Sequence, residues 1–483
     1  MNFHRRKNPG RTSPDERTTH LSPPLLILPL ICAVALATTA RATTVLEPLP
    51  EPSTTLFGFA VLSLGDVNGD SVPDYAVGAP FQDGDFVSTA MGFGLPQNVG
   101  KVMVIDGATF ATLSEMNDPE FEVIQDQHFG GELGWSISVS ADINNDGVAD
   151  VIAGVPHHIA NPNDLEAKTI NAGKAIVFSG KDGALLFTLN DPEEQEDGRF
   201  GTAVAALGDV NSDGVADFAV GVPGHDEGDE EDGVANVGVA YVFSGKTGAL
   251  ISTLDDPAEA AGAAFGSALA NAGDLNSDGV TDIIVGAPGE AKVHVFSGKT
   301  GALLYSIASP KTEPLTSFGA VVAGGQDFSK DKKPDIVVGA PLQAGNRGAV
   351  YVYNGIDGAL IRRLKPAADQ AFAQFGAAIY ASPDITGDRR ADIIVGAPGQ
   401  NVNGVLGAGQ AYVFDGVRGR LTTTLTGANP QAHAGFGSSV ASILFGGSNV
   451  SAPVVGVPYQ DIVTGSGQGA VTHLQAGQIE IFQ

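Results

Sequence analysis

The chain alternates short apolar runs with turns rich in glycine, proline, asparagine and aspartate. Gly238-Val-Ala-Tyr-Val-Phe-Ser-Gly245 is one such run, and Lys246-Thr-Gly-Ala-Leu-Ile-Ser-Thr-Leu254 follows it directly. Apolar runs of this length, bounded by turn residues, predict β-strands. The pattern therefore predicts a protein built largely from short strands.

Seven units with the same order of segments follow one another along the chain. Each unit opens with an aromatic residue and glycine, and its second strand ends in Gly-Ala-Pro or Gly-Val-Pro. The Phe-Gly pairs begin at Phe57, Phe200, Phe265, Phe318, Phe375 and Phe436, and the tripeptides begin at Gly78, Gly154, Gly221, Gly286, Gly339, Gly396 and Gly456. The second unit departs from this order, with Leu133-Gly134-Trp135 in register and Phe129-Gly130 just before it. We expect the aromatic residue to pack between neighbouring units and the glycines to permit close backbone approach.

Four strands in each of seven units predict an all-β fold, a seven-bladed β-propeller of four-stranded antiparallel blades over residues 43–483. The fourth strand is recognised only six times, because the seventh unit stops at Gln483. Residues 43–49 precede the first Phe-Gly pair at a similar spacing. We predict that this N-terminal strand completes the last blade and closes the ring, which removes an open sheet edge.

A nine-residue loop joins the first and second strands of six units, with oxygen-bearing side chains at positions 1, 3, 5 and 9. Ca²⁺ takes about six to eight oxygen ligands, and the backbone carbonyl at position 7 would add one more. The predicted ligands are, in chain order, Asp66, Asn68, Asp70, Val72, Asp74; Asp142, Asn144, Asp146, Val148, Asp150; Asp209, Asn211, Asp213, Val215, Asp217; Asp274, Asn276, Asp278, Val280, Asp282; Asp327, Ser329, Asp331, Lys333, Asp335; and Asp384, Thr386, Asp388, Arg390, Asp392. We call these segments the Asp loops.

The alternative role of an Asp loop is that of a simple Asx turn between two strands. Repetition favours the metal, because three carboxylates in each of six loops would repel one another without a cation. The fifth and sixth loops are looser copies, with Ser329 or Thr386 at position 3 and lysine or arginine neighbours that could partly replace the ion. The loop is not an EF-hand, which has twelve residues, a terminal glutamate and flanking helices. The seventh unit has Phe445-Gly-Gly-Ser-Asn-Val-Ser451 in this place and predicts no ion.

The formal net charge of −29 argues against a nucleic-acid partner and against anionic membrane surfaces. A basic leader, an apolar run over residues 25–37 and the small-x-small cleavage site Ala40-Arg41-Ala42 predict a signal peptide over residues 1–42. The run is too short to span a bilayer, and no later stretch is long and apolar enough. The only cysteine, Cys32, lies in this run, so its lipidation is an alternative to its removal. We expect a secreted, periplasmic or cell-surface monomer.

Phe-Gly, Asp-x-Asn-x-Asp-Gly-x-x-Asp and Gly-Ala-Pro recur in this order over residues 45–483. In this combination the chain resembles the FG-GAP repeat family, which includes the N-terminal propeller of integrin α subunits. The resemblance implies a seven-bladed propeller with Ca²⁺ in hairpin loops of one face. It also implies that other loops bind the partner.

The alternation of strands puts the Asp loops and the Ser-Gly-Lys-Thr-Gly turns on one face of the ring. The long segments 81–99, 157–172, 224–237 and 459–476 belong to the opposite face, and irregular loops on a rigid scaffold commonly carry binding function. We expect an exported, calcium-binding module that recognises a protein or glycan there. Two alternatives stay open: a polysaccharide-cleaving lyase or hydrolase with titratable groups around the central channel, and a structural envelope protein. No nucleophile motif supports catalysis, and the pair His157-His158 lacks further zinc ligands.

Overall fold

The computed structural model describes residues 38–41, 44–46 and 55–482, apart from residues 83–86, 90–91, 95–97, 120–121, 125–126, 161–168, 229–232, 311–316, 445–447, 449, 465–470 and 474–475. Its strands are β1 Thr38–Arg41, β2 Thr44–Leu46, β3 Ala60–Gly65, β4 Asp74–Ala79, β5 Val87–Thr89, β6 Gly92–Gly94, β7 Lys101–Ile105, β8 Thr112–Asn117, β9 Glu122–Ile124, β10 Gln127–Phe129, β11 Ile137–Val139, β12 Val151–Val155, β13 Lys174–Phe178, β14 Leu185–Asn190, β15 Ala203–Gly208, β16 Asp217–Val222, β17 Val239–Phe243, β18 Leu250–Asp255, β19 Ala268–Gly273, β20 Asp282–Ala287, β21 Lys292–Phe296, β22 Leu303–Ala308, β23 Val321–Gln326, β24 Asp335–Gly339, β25 Val350–Tyr353, β26 Leu360–Leu364, β27 Ala378–Ser382, β28 Asp392–Ala397, β29 Gln410–Asp415, β30 Arg420–Thr426, β31 Ser439–Ile443, β32 Ala452–Val457, β33 Ile462–Thr464, β34 Val471–His473 and β35 Gln478–Ile481. One four-residue helical turn, α1, spans Gln343–Asn346. In the part of the chain that the structure describes, no helix is long and apolar enough to cross a membrane.

The strands form seven antiparallel sheets that are arranged as the blades of a propeller. From the innermost strand outward the sheets are β3-β4-β7-β8, β11-β12-β13-β14, β15-β16-β17-β18, β19-β20-β21-β22, β23-β24-β25-β26, β27-β28-β29-β30 and β31-β32-β35-β2. The seven innermost strands contact one another in chain order, and β31 contacts β3 again. The predicted seven-bladed β-propeller is therefore confirmed.

The N-terminal strands lie at the outer edges of the last two blades. β2 pairs with β35, where Thr44 stands opposite Ile481 and Leu46 opposite Ile479. This is the position that the sequence assigns to residues 43–49. β1 adds a fifth strand to the sixth blade and runs parallel to β30. Cleavage after Ala42, as the sequence predicts, would remove β1 and keep β2; residues 1–37 of the predicted leader lie outside the described residues.

The hydrophobic core consists of seven clusters, and each cluster lies between two adjacent blades. The aromatic residue of every Phe-Gly pair belongs to the cluster between its own blade and the preceding one, and each is at most 2% exposed. Leu133 takes the place of the aromatic residue between the first two blades. It forms an isolated β-bridge with Gly100, as Phe375 does with Gly348. The predicted packing role of the aromatic residue, and the register of the second unit, are therefore confirmed.

Two glycines meet where each blade adjoins the next. A Cβ atom built on Gly221 would stand 2.0 Å from the carbonyl oxygen of Gly266, which itself has a φ of +85°. Gly154 meets Gly201 and Gly396 meets Gly437 in the same way. The Phe-Gly and Gly-Ala-Pro segments are thus two halves of one tight contact that admits no side chain.

Candidate functional site

The six Asp loops share one backbone conformation. Residues at positions 4 and 6 have positive φ in every loop, including the non-glycine residues at position 6, Ser71, Lys332 and Arg389. The first aspartate closes this turn: in the third loop Asp209 accepts the N–H groups of Asp213 at 3.0 Å and of Gly214 at 2.9 Å. The other loops repeat these bonds to the first carboxylate, except that in the fifth loop the N–H group of Lys330 replaces that of Asp331.

Position 3 separates the first four loops from the last two, whereas the carboxylate at position 5 accepts the N–H group at position 7 in each of the first five loops. In the third loop Asn211 Oδ1 accepts the Asp213 N–H at 2.9 Å, and Asp213 Oδ1 accepts the Val215 N–H at 3.0 Å. The first, second and fourth loops repeat both bonds. Ser329 and Thr386 instead donate their hydroxyl groups to carboxylates of their own loops. The four close copies therefore form one structural class.

The ninth-position aspartate is a buried anchor in all six loops. Asp217 accepts the N–H groups of Val210 at 2.8 Å and Asn211 at 3.2 Å through Oδ2, and that of Gly245 at 3.0 Å through Oδ1. These bonds tie the Asp loop to the turn between the third and fourth strands. Burial raises the pKa of this carboxyl above its usual range, although the backbone hydrogen bonds partly offset the effect. The same direction holds at Asp74, Asp150, Asp282, Asp335 and Asp392.

A serine and a lysine in the next turn support the fifth-position aspartate, a role that the sequence alone did not predict. Ser244 Oγ donates to Asp213 Oδ2 at 3.1 Å, and Lys246 Nζ donates to the Asp213 carbonyl oxygen at 2.8 Å. The second and fourth blades repeat these contacts. Desolvation tends to raise the pKa of Asp213, but these neighbours and the loop hydrogen bonds outweigh it and lower the pKa. The repetition of the Ser-Gly-Lys turn along the chain is the sequence signal that could have indicated this role.

The cations near the two looser loops lie elsewhere than the sequence suggests. Arg418, from the turn after β29, contacts Asp388 of the sixth loop at 3.3 Å and Asp415 at 2.7 Å. Lys333 of the fifth loop reaches the fourth loop, where its Nζ donates to the Asp274 carbonyl at 2.6 Å and lies 3.7 Å from Oδ2. Arg418 thus partly balances the negative charge of Asp388 in the sixth loop.

The donor chemistry of the first four loops fits Ca²⁺. Each brings three carboxylates and one amide carbonyl together, all of them hard oxygen donors. A carboxylate has about four lone-pair directions. The hydrogen bonds from backbone N–H groups therefore leave oxygen lone pairs free to bind a metal ion, even at the ninth position. Asp209, Asn211, Asp213 and Asp217 would hold the ion in the third loop, and its charge would offset most of their negative charge.

A group of aromatic side chains lies on the face opposite the Asp loops. The rings of Phe59 and Trp135 are 5.0 Å apart, and His157 meets Trp135 edge-on at 5.7 Å. Glu132 Oε2 lies 2.9 Å from His157 Nδ1. We call these four partly buried residues the aromatic patch. Much of segments 81–99, 157–172, 224–237 and 459–476 on this face lies outside the described residues.

A closed ring of seven blades with Asp loops on one face defines the chain as a β-propeller, and comparisons with known proteins identify its class of repeat. The FG-GAP repeat matches residues 133–167, 200–243, 265–304, 318–353 and 375–414, which lie in the second to sixth blades. The chain therefore carries five FG-GAP repeats, and its propeller is similar to that of integrin alpha chains.

Three integrins illustrate the extent of this similarity. Integrin alpha pat-2 of Caenorhabditis briggsae is 30% identical over 259 residues, which cover 48% of this chain and 20% of that protein. Integrin alpha-3 of Cricetulus griseus is 30% identical over 220 residues, 43% of this chain and 19% of that protein. Integrin alpha-2 of Bos taurus is 35% identical over 159 residues, 29% of this chain and 14% of that protein. The matched regions thus span at most 20% of these relatives.

Proposed function

We propose that the chain is an exported, calcium-stabilised recognition module that binds a protein or glycan through the face opposite the Asp loops. The aromatic patch is the observation that carries this proposal. Aromatic rings with a polar neighbour are enriched at recognition surfaces, because they offer a large contact area at a low cost in conformational entropy. Phe59 and Trp135 come from adjacent blades, so the rigid ring holds them in place.

The likeness to integrin alpha propellers supports recognition as the general role. The similarity covers at most 20% of the three integrins, so the partner itself has to be identified by experiment. Export is supported by the leader sequence over residues 1–42, and calcium by the donor chemistry of the Asp loops.

An enzyme is the less favoured alternative. It would need titratable groups at the central channel. Among the described residues, the one group of three metal-ligating side chains comprises Asp256, Glu290 and His294. It lies between the third and fourth blades, away from the inner strands that surround the channel. Release of reducing ends from a polysaccharide by the protein, with loss of this activity in a Glu132→Gln variant, would support the enzyme instead.

Trp135 provides a direct test of the recognition surface, because it is the only tryptophan of the chain. A panel of purified extracellular proteins and glycans would be titrated into the calcium-loaded protein while its fluorescence and surface binding are followed. A true partner should change the Trp135 emission, and Trp135→Ala should weaken its binding by at least about tenfold, as expected for an aromatic anchor.

Phe110→Ala is the matched control, because Phe110 is an exposed aromatic residue of the turn between β7 and β8, on the Asp-loop face. Partner binding should be unchanged in this variant. Equal loss of binding in both variants, or a loss confined to Phe110→Ala, would contradict the proposed face.

A further inference from the structure

Three consecutive junctions between blades bury an aspartate that directly follows an outer strand. Asp118, Asp191 and Asp256 follow β8, β14 and β18, and each is at most 7% exposed. Each is the first residue of an Asp-Pro pair. Each faces residues of the next blade, so the three junctions are variants of one pocket.

The third of these pockets contains three side chains that could ligate a metal. Carboxylate oxygens of Asp256 and Glu290 and a ring nitrogen of His294 all lie within 4.8 Å of one another. His294 stands on β21, and Glu290 lies in the short turn that precedes this strand. The side chains of Asp256 and His294 are 0% and 1% exposed, and that of Glu290 is 9% exposed, so the pocket opens to solvent on the Glu290 side.

The ring of His294 is oriented with one nitrogen free. Its Nδ1 lies 2.8 Å from Ser306 Oγ, whereas the buried Nε2 has no hydrogen-bond partner. Nε2 is 4.0 Å from Asp256 Oδ1, which is too long for a hydrogen bond. Asp256 is itself fixed, because its two oxygens accept the N–H groups of Ala258 and Ala260 at 3.1 Å each.

We propose that Asp256, Glu290 and His294 form a binding site for a transition-metal dication of the Zn²⁺ class, separate from the Asp loops. One imidazole and two carboxylates are ligands that Zn²⁺ accepts, and a fourth position would be left for water. Tetrahedral Zn²⁺ with bonds of about 2.0–2.2 Å separates its ligand atoms by roughly 3.4 Å. The gap of 4.0 Å between Nε2 and Oδ1 therefore has to close by less than about 1 Å.

Lys292 is the competing cation at this site. It forms an ion pair with Glu290, and its own side chain is 35% exposed. A dication in the pocket would compete with this ammonium group for the oxygens of Glu290. Because Lys292 is near the surface, it can turn to solvent when the ion binds.

The preceding junction offers a matched control from the same chain. The positions equivalent to Glu290 and His294 hold His225 and Tyr241, and Tyr241 pairs with Thr253 as His294 pairs with Ser306. This pocket has the buried aspartate but lacks the three-ligand set.

Cobalt is the suitable probe, because four-coordinate Co²⁺ with a nitrogen ligand absorbs visible light far more strongly than Co²⁺ in an oxygen-rich site of higher coordination. Protein stripped of metal and saturated with excess Ca²⁺ would be titrated with Co²⁺ and then with Zn²⁺. We expect one intense Co²⁺ site per chain that Zn²⁺ displaces. His294→Gln should weaken it at least about tenfold, and His225→Gln should leave it unchanged.

Lys292→Gln distinguishes a metal site from a purely structural ion pair. It should strengthen Co²⁺ binding several-fold, because it removes the cation that competes for Glu290. Absence of an intense Co²⁺ signal in the wild-type protein would overturn the proposal, and this measurement does not depend on the folding of any variant. An identical signal in His294→Gln, or weaker binding in Lys292→Gln, would also overturn it.

Discussion

At the scale of single residues, position 6 of the Asp loops shows how one backbone angle constrains the choice of side chain. Gly214 has a φ of +89°, and no atom lies within 4 Å of the Cβ position that a side chain would take there. Arg389 occupies the equivalent position with a φ of +64°. A side chain at this position therefore causes backbone strain without a steric clash.

Exchanging glycine and non-glycine residues at position 6 should change stability in opposite directions. Gly214→Ala should lower the free energy of unfolding by roughly 1 kcal/mol, because the left-handed conformation is unfavourable for residues with a Cβ. Arg389→Gly should raise it by up to about 1 kcal/mol for the same reason. Urea denaturation in the presence of a chelator would measure both changes without a contribution from bound metal. Destabilisation by Arg389→Gly would show that its side chain stabilises the sixth loop.

Glu480 is a buried carboxyl that should make stability depend on pH. It is 1% exposed on β35, where it accepts the Ala428 N–H at 2.9 Å and the Gln478 amide at 2.6 Å. Burial raises its pKa to about 7, although these hydrogen bonds partly offset the effect. A folded-state pKa above the ordinary value means that the native protein holds this proton more tightly than the unfolded chain. Its contribution is therefore lost as the pH rises towards and above about 7.

Glu480→Gln should remove this loss. The variant should be more stable than the wild-type protein above about pH 7, by at most about 3 kcal/mol, and the difference should vanish below about pH 4.5. Thermal melting across this range, with calcium in excess, would measure it. The exposed Glu196→Gln is the control and should not alter the pH profile. A difference between Glu480→Gln and wild type that does not vary with pH would contradict the shifted pKa.

At the scale of elements, the sequence predicted the strand order, the blade count and the Asp loops, because each has a repeated local pattern. It missed the serine and lysine that support Asp213, and it missed Arg418 beside Asp388. These contacts join two different hairpins, so only the pairing of strands in the blade brings them together. The same reason explains why the group around His294, drawn from two blades, left no signal in the sequence.

Loss of one fifth-position aspartate should empty one Asp loop. Asp213→Ala removes a predicted ligand from the third loop, and we expect it to bind one calcium ion fewer per chain than the wild-type protein. Native mass spectrometry would count the ions, and melting with and without chelator would show whether they stabilise the fold. Asp369→Ala is the control, because the Asp369 side chain is 80% exposed and lies outside the loops. An unchanged ion count in Asp213→Ala would contradict the assignment.

At the scale of the whole molecule, stability depends on closure of the ring, because every core cluster is shared between two blades. The cluster between the seventh and first blades contains Phe57 and Ile479. β2 covers the outer edge of the seventh blade by pairing with β35. An open edge at β35 would expose unpaired backbone groups that can pair with another chain.

Two truncated chains separate the contributions of β1 and β2. A chain of residues 43–483 lacks β1 and should keep the stability of the closed ring, since β1 only extends the sixth blade. A chain of residues 47–483 lacks β2 as well and should lose about 1–3 kcal/mol, because the hydrogen bonds to β35 are removed. It should also self-associate through the exposed strand, which light scattering and hydrogen exchange of β35 would detect. Equal stability and a monomeric state in both chains would mean that packing between the blades alone closes the ring.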